Sequence, residues 1–463
     1  MYRKLLFLIC LFVEANVLAQ WNINPSLDEL LLLRIPVIDI HTVGEEEPTF
    51  TPITHPSGAF GESIISDYVP GRMTIISHND TLYDSGEYIS KTSGLMIKVR
   101  GNTSAYNPII PYKLKLQRKA DLLFRGNDVQ YADKEWIIID GNSINTIVGY
   151  QLSNLIGMEW TPAYSFVNVR INDQYRGIYI LIESVKRNTN CRLNVDESGY
   201  IFEHDAYWWK EDYYISTLSD RKYTIKYPKY SEATIEELDY LTDVVNNMEQ
   251  SFQDDNYESV VDVTSFARWI LAHDILGSGD AAGTNIYLTK YDNTVESLIK
   301  MPLLWDFGAI MSKNDTWSAA HMHYTFFPSL FSSNNKVFTE TYISLWEQQH
   351  DYIFRLMKSY LQDLRLSTLI ADLEQSRIQT KQLYGFDDCT WDEDIQVCLN
   401  WFTNREGWLT SSIKTMSEQQ TAIGNIYNNR VNDKTDLYDL SGKKIIGTKK
   451  GIVVSHKGLF LNK

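Results

Sequence analysis

Cysteine, net positive charge and long apolar runs are all scarce in this chain, and each scarcity removes a class of protein. Only four of the 463 residues are cysteine, too few for a scaffold built on disulfides. No Cys/His set has zinc-ligand spacing, so a structural zinc site of that kind is not indicated. Basic residues number 43 against 59 acidic ones, a formal charge of -16. A general binder of nucleic acid or of an anionic membrane needs a net positive face, which this balance does not supply. Beyond the N-terminus there is no run of about 18 apolar residues, so no transmembrane helix is expected. What remains is a globular composition, 44% hydrophobic and 22% charged, in a chain long enough for several domains at roughly 100 to 200 residues each. The 12 Trp, 29 Tyr and 18 Phe suit large cores, and equally large interfaces or a glycan partner.

Residues 1–19 place Arg3 and Lys4 before the apolar run 5–13 and close on Val17-Leu18-Ala19. That is the pattern of a secretory signal peptide, and it predicts an exported protein found in the periplasm, on the outer membrane surface or outside the cell. Cys191, Cys389 and Cys398 then remain; the last two could close a small loop in an oxidising compartment or stay as free thiols.

After a linker over 20–34, short alternating apolar stretches such as Met73-Thr74-Ile75-Ile76 and Leu95-Met96-Ile97-Lys98-Val99 predict strands from 35 to about 116. A helix is predicted over 144–156, then a hairpin whose strands 166–171 and 175–182 flank Asn172-Asp173. Helical periodicity returns over 231–248 and 263–276, where Gly277-Ser278-Gly279 stops it. A second hairpin is predicted from 286–288 and 298–304, and mostly helix from there to about 416. The last 34 residues, 430–463, carry eight basic against three acidic residues in short strands with Gly turns, a separate small β module.

The chemistry concentrates around Gly279-Asp280-Ala281-Ala282-Gly283-Thr284-Asn285 and Trp305-Asp306-Phe307-Gly308. The intervening hairpin predicts Asn285 opposite Asp306, about 5 Å apart at Cβ. Hard oxygen donors of this kind suit Mg²⁺ held partly by substrate phosphate. An aspartate five residues before such an asparagine, with D-F-G after a hairpin, is the spacing of a protein-kinase catalytic loop, although Ser278-Gly279 stands where H-R would. Upstream, Arg100-Gly101-Asn102-Thr103-Ser104 could cover phosphates, and Lys113 and Lys115, two apart on a strand, share one face. His321 and His323 could ligate a metal or simply pack. Asp387-Asp388 and Asp392–Asp394 are acidic but lack the regular pattern of a calcium loop.

Four of these stretches together, Arg100–Ser104, Pro111-Tyr112-Lys113-Leu114-Lys115-Leu116, Tyr175–Glu183 and Pro302-Leu303-Leu304-Trp305-Asp306-Phe307, resemble the motifs of the spore-coat CotH family of atypical secreted protein kinases, over about 35–408. The resemblance implies an α+β, two-lobed kinase-like fold: a β-rich N-lobe over 35–188 and a helical C-lobe with the catalytic loop over 189–420. It implies binding of ATP with Mg²⁺ or Mn²⁺ and phosphorylation of Ser/Thr on a protein substrate. By position, Asp280 would be the catalytic aspartate, Asn285 and Asp306 metal ligands, and Lys113 or Lys115 the phosphate-contacting lysine. Arg100, Asn102 and Ser104 would line the nucleotide site with Glu183. Two departures bear on activity: Gly308 stands where the family usually has an acidic residue, and Thr146-Ile147-Val148-Gly149 lacks its basic residue. A surface adhesin that kept the fold without catalysis, binding a protein or glycan, is the alternative; a metal-dependent phosphoesterase is a third. The basic tail is similar to C-terminal sorting or anchoring modules of exported Bacteroidota proteins.

Overall fold

A computed structural model of the chain describes residues 24–432 and 451–462, apart from 56–61, 79, 282–284, 313, 317–324, 387–388 and 456–457. The expected signal peptide, the histidines at 321 and 323 and the Asp387-Asp388 pair lie outside the described residues. Residues up to Gly407 form one compact unit, and a second unit begins at Trp408.

The first half of the chain alternates apolar and polar residues, and this period of two builds a sheet with one buried face. Its strands are β1 (Val37–Thr42), β4 (Val69–Ser77), β5 (Asp80–Asp84), β6 (Leu95–Val99), β7 (Tyr112–Ala120), β8 (Asp133–Asp140), β9 (Tyr164–Ile171) and β10 (Gln174–Glu183), while β2 (Thr51–Ile53) and β3 (Ser63–Ile65) pair with each other as a separate ribbon. The hydrogen-bonded order is β1-β9-β10-β8-β7-β6-β4, and β4 pairs back onto β1, so the sheet closes into a barrel with β5 hanging from β4. All these pairings are antiparallel except β1 with β9. The inward residues, among them Ile38, Met73, Ile97, Leu114, Trp136, Ile138, Val169 and Leu181, fill the barrel as one apolar cluster. Closure leaves no edge along β1 or β4. A closed barrel is not the usual form of a kinase β lobe, but it agrees with the expected β-rich N-terminal region.

The strands β9 and β10 are buried on both faces, because their outer side is covered by a helix, Thr368–Tyr384. Thr380 Oγ1 accepts from the Ile178 backbone N–H at 2.9 Å, and Tyr175 donates to Asn168 Oδ1 at 2.8 Å. The stretch read as a linker carries a short helix over Leu27–Leu31 with a Ser26/Glu29 capping box, and its Leu30 packs with Leu33, Val37 and Tyr175.

The rest of the unit mixes helix with a second sheet, of which the sequence patterning anticipated only the β14–β15 hairpin: β11 (Tyr200–His204), β12 (Tyr214–Ser216), β13 (Lys222–Tyr227), β14 (Ile286–Lys290) and β15 (Ile299–Lys300), in the order β12-β13-β11-β14-β15. The principal helices are α1 (Asn145–Ile156), α2 (Ile235–Gln253), α3 (Val263–Leu276) and α4 (Val337–Leu366), followed by the covering helix α5 (Thr368–Tyr384) and α6 (Trp391–Asn432). The molecule is thus a mixed α+β protein. In the second unit a hairpin, β16 (Gly451–Ser455) with β17 (Gly458–Asn462), lies within the predicted tail. Among the described residues no helix is long and apolar enough to cross a membrane. The thiols of Cys191, Cys389 and Cys398 are free, and burial pushes that of Cys398 up to about 12.

Candidate active site

A cleft of about 520 Å³ opens between one end of the barrel and the α3–β14 connection. The barrel contributes Pro111, just before the start of β7, with Ile139, Asp140 and Ile182; α1 contributes Asn145, Thr146 and Tyr150; the turn after β11 contributes Ala206 and Tyr207; and the loops supply Asp280, Asn285 and Trp305 to Gly308. Each of these elements stops at the cleft for a local reason. Helix α3 ends on Gly277, in the left-handed region at φ 56°, where an added Cβ would lie 2.4 Å from the Trp401 ring. The chain is then released toward Asp280. The Gly279 backbone N–H donates to Ala309 O at 3.1 Å, and Met311 N–H donates to Leu276 O at 2.8 Å, tying this loop to the one after Asp306.

Asn285 and Asp306 meet as the hairpin argument predicts: Asn285 Nδ2 lies 3.4 Å from Asp306 Oδ2. The ladder beneath them is short, only Thr289↔Lys300 and Lys290↔Ile299, and its register is offset by two residues from the expected one. Both residues have positive φ, 59° for Asn285 and 61° for Asp306. Asn and Asp tolerate this region better than other side chains, and such strain concentrates at functional sites. Asp306 Oδ1 accepts from the Gly308 N–H at 3.2 Å, which fixes the turn. Phe307 anchors it from the other side, packing so closely over α1 that a Cβ on Gly149 would lie 2.2 Å from its ring, with Tyr150 edge-on at 5.3 Å.

The facing wall is the loop 100–104. Gly101 has φ 94°, and a Cβ there would lie 2.1 Å from Ser104 Oγ, so only glycine fits this turn. Asn102 is held in place, its Oδ1 accepting from Ser63 Oγ at 2.5 Å and from Lys210 Nζ at 2.9 Å. Arg100 brings a guanidinium to the cleft, and its field reaches Tyr150 and Tyr287. Asp280 has its carboxyl pushed above the usual aspartate range, first by partial burial and then by the Asp306 carboxylate. Two carboxylates that repel one another beside a carboxamide are hard oxygen donors, of the kind that would suit a divalent cation.

The cleft therefore gathers Arg100, Asn102, Ser104, Asp280, Asn285 and Asp306. Three other predicted residues are absent from its lining. Lys113 is committed to Glu135 at 2.7 Å. Lys115 points to a separate surface groove, near the Tyr68 ring. Glu183 is buried, accepting from Arg125 Nη1 at 3.0 Å and from the Ala163 N–H at 3.1 Å, although its neighbour Ile182 does reach the cleft. The barrel's alternation explains the lysines: it puts both on the outer face, but an outer-face ammonium goes to the nearest carboxylate. Conversely, Asp140, Asn145, Tyr150 and Tyr207 line the cleft without having been singled out, and Thr146, noted only within a stretch that lacks a basic residue, lines it too. The Tyr207-Trp208-Trp209 run was the one visible signal among them.

A protein-family model described as CotH kinase protein matches residues 97–409, which spans all of the cleft residues. The chain belongs to the CotH kinase family. A search of curated proteins finds no match. Among solved structures, the chain is similar to the Helicobacter pylori proinflammatory kinase CtkA, at 10% identity and a TM-score of 0.30, over 64% of this chain and 95% of that one. This CotH-family chain departs from the expected motifs in ways now visible in space. Gly308 leaves the flank of Asp306 open, a Cβ meeting only Asp306 Oδ1 at 3.4 Å. Helix α1 offers the cleft Asn145 and Thr146, while Ile147 and Val148 are buried.

Proposed function

We propose that this CotH-family chain is an exported protein kinase, two-lobed in function, that transfers the γ-phosphoryl group of ATP to serine or threonine of a protein substrate. The observation that carries the reading is the pairing of Asn285 with Asp306 at 3.4 Å, beside Asp280, on a cleft whose opposite wall is the Arg100–Ser104 loop. Asn285 and Asp306 would hold Mg²⁺ or Mn²⁺, which when bound neutralises charge on the phosphate oxygens. Arg100 supplies a fixed positive charge on the other wall, and the Thr103 and Ser104 hydroxyls supply donors. Asp280 orients the substrate hydroxyl. As that oxygen bonds to the γ-phosphorus and the bond to the bridging oxygen of ADP breaks, the hydroxyl proton passes to the Asp280 carboxylate. The raised proton affinity of Asp280 favours that acceptance. Export rests on the residue pattern of 1–19.

A binding protein without catalysis is the competing reading, favoured by the missing carboxylate at Gly308. Purified protein incubated with labelled ATP and Mg²⁺ or Mn²⁺ separates the two. Phosphate on serine or threonine of a substrate protein or of the chain itself, lost in both Asp280→Ala and Asp306→Ala, is expected. No nucleotide binding at millimolar concentration would leave the adhesin, and free phosphate without transfer would indicate a phosphoesterase.

A further inference from the structure

A second cavity, of about 440 Å³, lies on the outer face of the barrel where β7 and β8 approach the loop after β10. Six cations line it, Lys115, Lys119, Lys134, Lys186, Arg187 and Lys229, against two carboxylates, Asp133 and Glu135. Those carboxylates are already engaged. Glu135 pairs with Lys113 at 2.7 Å, and Asp133 accepts from Lys186 at 3.2 Å and from Asn188 Nδ2 at 3.1 Å. Lys115, Lys119 and Lys134 have no acidic partner within ion-pair distance among the described residues. The groove is therefore strongly positive on a chain whose net charge is -16. Like charges gathered without counter-charge cost stability, and a complementary partner removes that cost.

We infer that this groove docks an acidic segment of a polypeptide substrate. Three features favour a peptide over a larger polyanion. The cavity holds a few side chains rather than a surface. Beyond it the acidic remainder of the chain repels nucleic acid and anionic membrane. The exposed Thr189 and Asn190 at its edge offer polar partners for a peptide backbone. The location fits as well. Pro111 and Ile139 line the catalytic cleft, and Lys115 and Glu135, four residues away along the same chain segments, line the groove. At about 3.3 Å per residue the two sites lie on the order of 13 Å apart along the strands, a distance that roughly four residues of extended peptide span. A substrate could then hold its acidic run in the groove while its hydroxyl reaches the cleft. The identity of the occupant rests on the kinase reading, but the binding can be measured without turnover.

The test uses the full chain and fluorescence anisotropy with a labelled peptide rich in Glu and Asp, against the same peptide carrying Gln and Asn. The acidic peptide is expected to bind, weakening as salt rises, and the Gln/Asn peptide to bind far less. The double variant Lys119→Glu/Lys134→Glu, on exposed or half-buried positions outside the cleft, is expected to weaken binding roughly tenfold or more, with a thermal unfolding temperature no lower than the parent's because it relieves repulsion among the cations. Asp306→Ala is expected to leave peptide binding intact, so a failed kinase reading and a failed groove give different results. Equal binding of the two peptides, or an unaltered double variant, overturns the proposal. So does a heparin oligosaccharide that binds more tightly than the peptide and is released by the same reversals.

Discussion

At the scale of single residues, the site is organised by backbone positions that few side chains accept. Asn285 and Asp306 hold positive φ, and Gly101 does so against Ser104. Gly308 is different, because its φ is not in the left-handed region and its missing side chain leaves space toward Asp306. A carboxylate there would join Asp306 in facing the cation. Gly308→Asp is therefore expected to tighten Mn²⁺ binding by roughly tenfold, read by calorimetry, because added ligand charge raises affinity for a hard cation. Without metal the same variant should be slightly less stable, as two carboxylates then stand together. Unchanged Mn²⁺ affinity would show that this flank of Asp306 does not face the ion.

At the scale of elements, the loop bearing Asp306 depends on a helix that contributes no carboxylate. Phe307 lies on Gly149 of α1, and an alanine Cβ would intrude to 2.2 Å of its ring. Gly149→Ala gains helix propensity of about 1 kcal/mol but overpacks a buried contact at a cost of about 1–3 kcal/mol. The expected result is near-neutral or reduced stability with phosphate transfer lowered at least about tenfold, because Phe307 can yield only by moving Asp306. Adding Phe307→Leu to Gly149→Ala should return part of the activity; if it does not, the contact is not what positions Asp306. Elements of this kind were legible in the sequence wherever a period or a stop signal was local. Helix α3 and its Gly277 cap, the β9–β10 hairpin at Asn172-Asp173, and the Asn285–Asp306 pairing all follow from short-range patterns. Beyond its β14–β15 hairpin the second sheet was not legible, because β11 to β13 are short and carry charged residues, such as Glu203 and Lys226, that pair with each other at 3.0 Å on a buried face. The period of two put Lys113 and Lys115 on one face correctly, yet nothing in it shows that Glu135 stands across the ladder to capture Lys113.

At the scale of the whole molecule, barrel closure depends on contacts no local pattern carries, since β1 meets β9 through Val37↔Asn168 and β4 through Val37↔Ile76. Burial outside the barrel, in the second sheet and α3, makes the fold sensitive to acid. His204 lies buried at the end of β11, its ring 5.2 Å from that of Tyr223, and burial pushes its imidazole down to about 4, with Arg221 adding to the shift. His273, within α3, is pushed down to about 3 by burial alone. Each binds its proton less readily in the native state than in the unfolded chain, where it titrates near 6.5. Stability contributed by the neutral rings is complete above about pH 6.5 and is lost as pH falls toward 4, because the unfolded state gains protons first. His204 alone should remove on the order of 2 kcal/mol of unfolding free energy between pH 7 and pH 5. Asp133 and Glu135, held below the usual carboxylate range against burial by their Lys and Arg partners, extend the loss below pH 4.5. Urea unfolding at pH 7 and pH 5 is expected to show the fall, and His204→Gln, which carries no titrating group, to show a smaller one. An identical pH difference in the variant would mean that His204 protonates in the native state as easily as in the unfolded chain, which a ring enclosed between Tyr223 and the buried face of the second sheet does not permit.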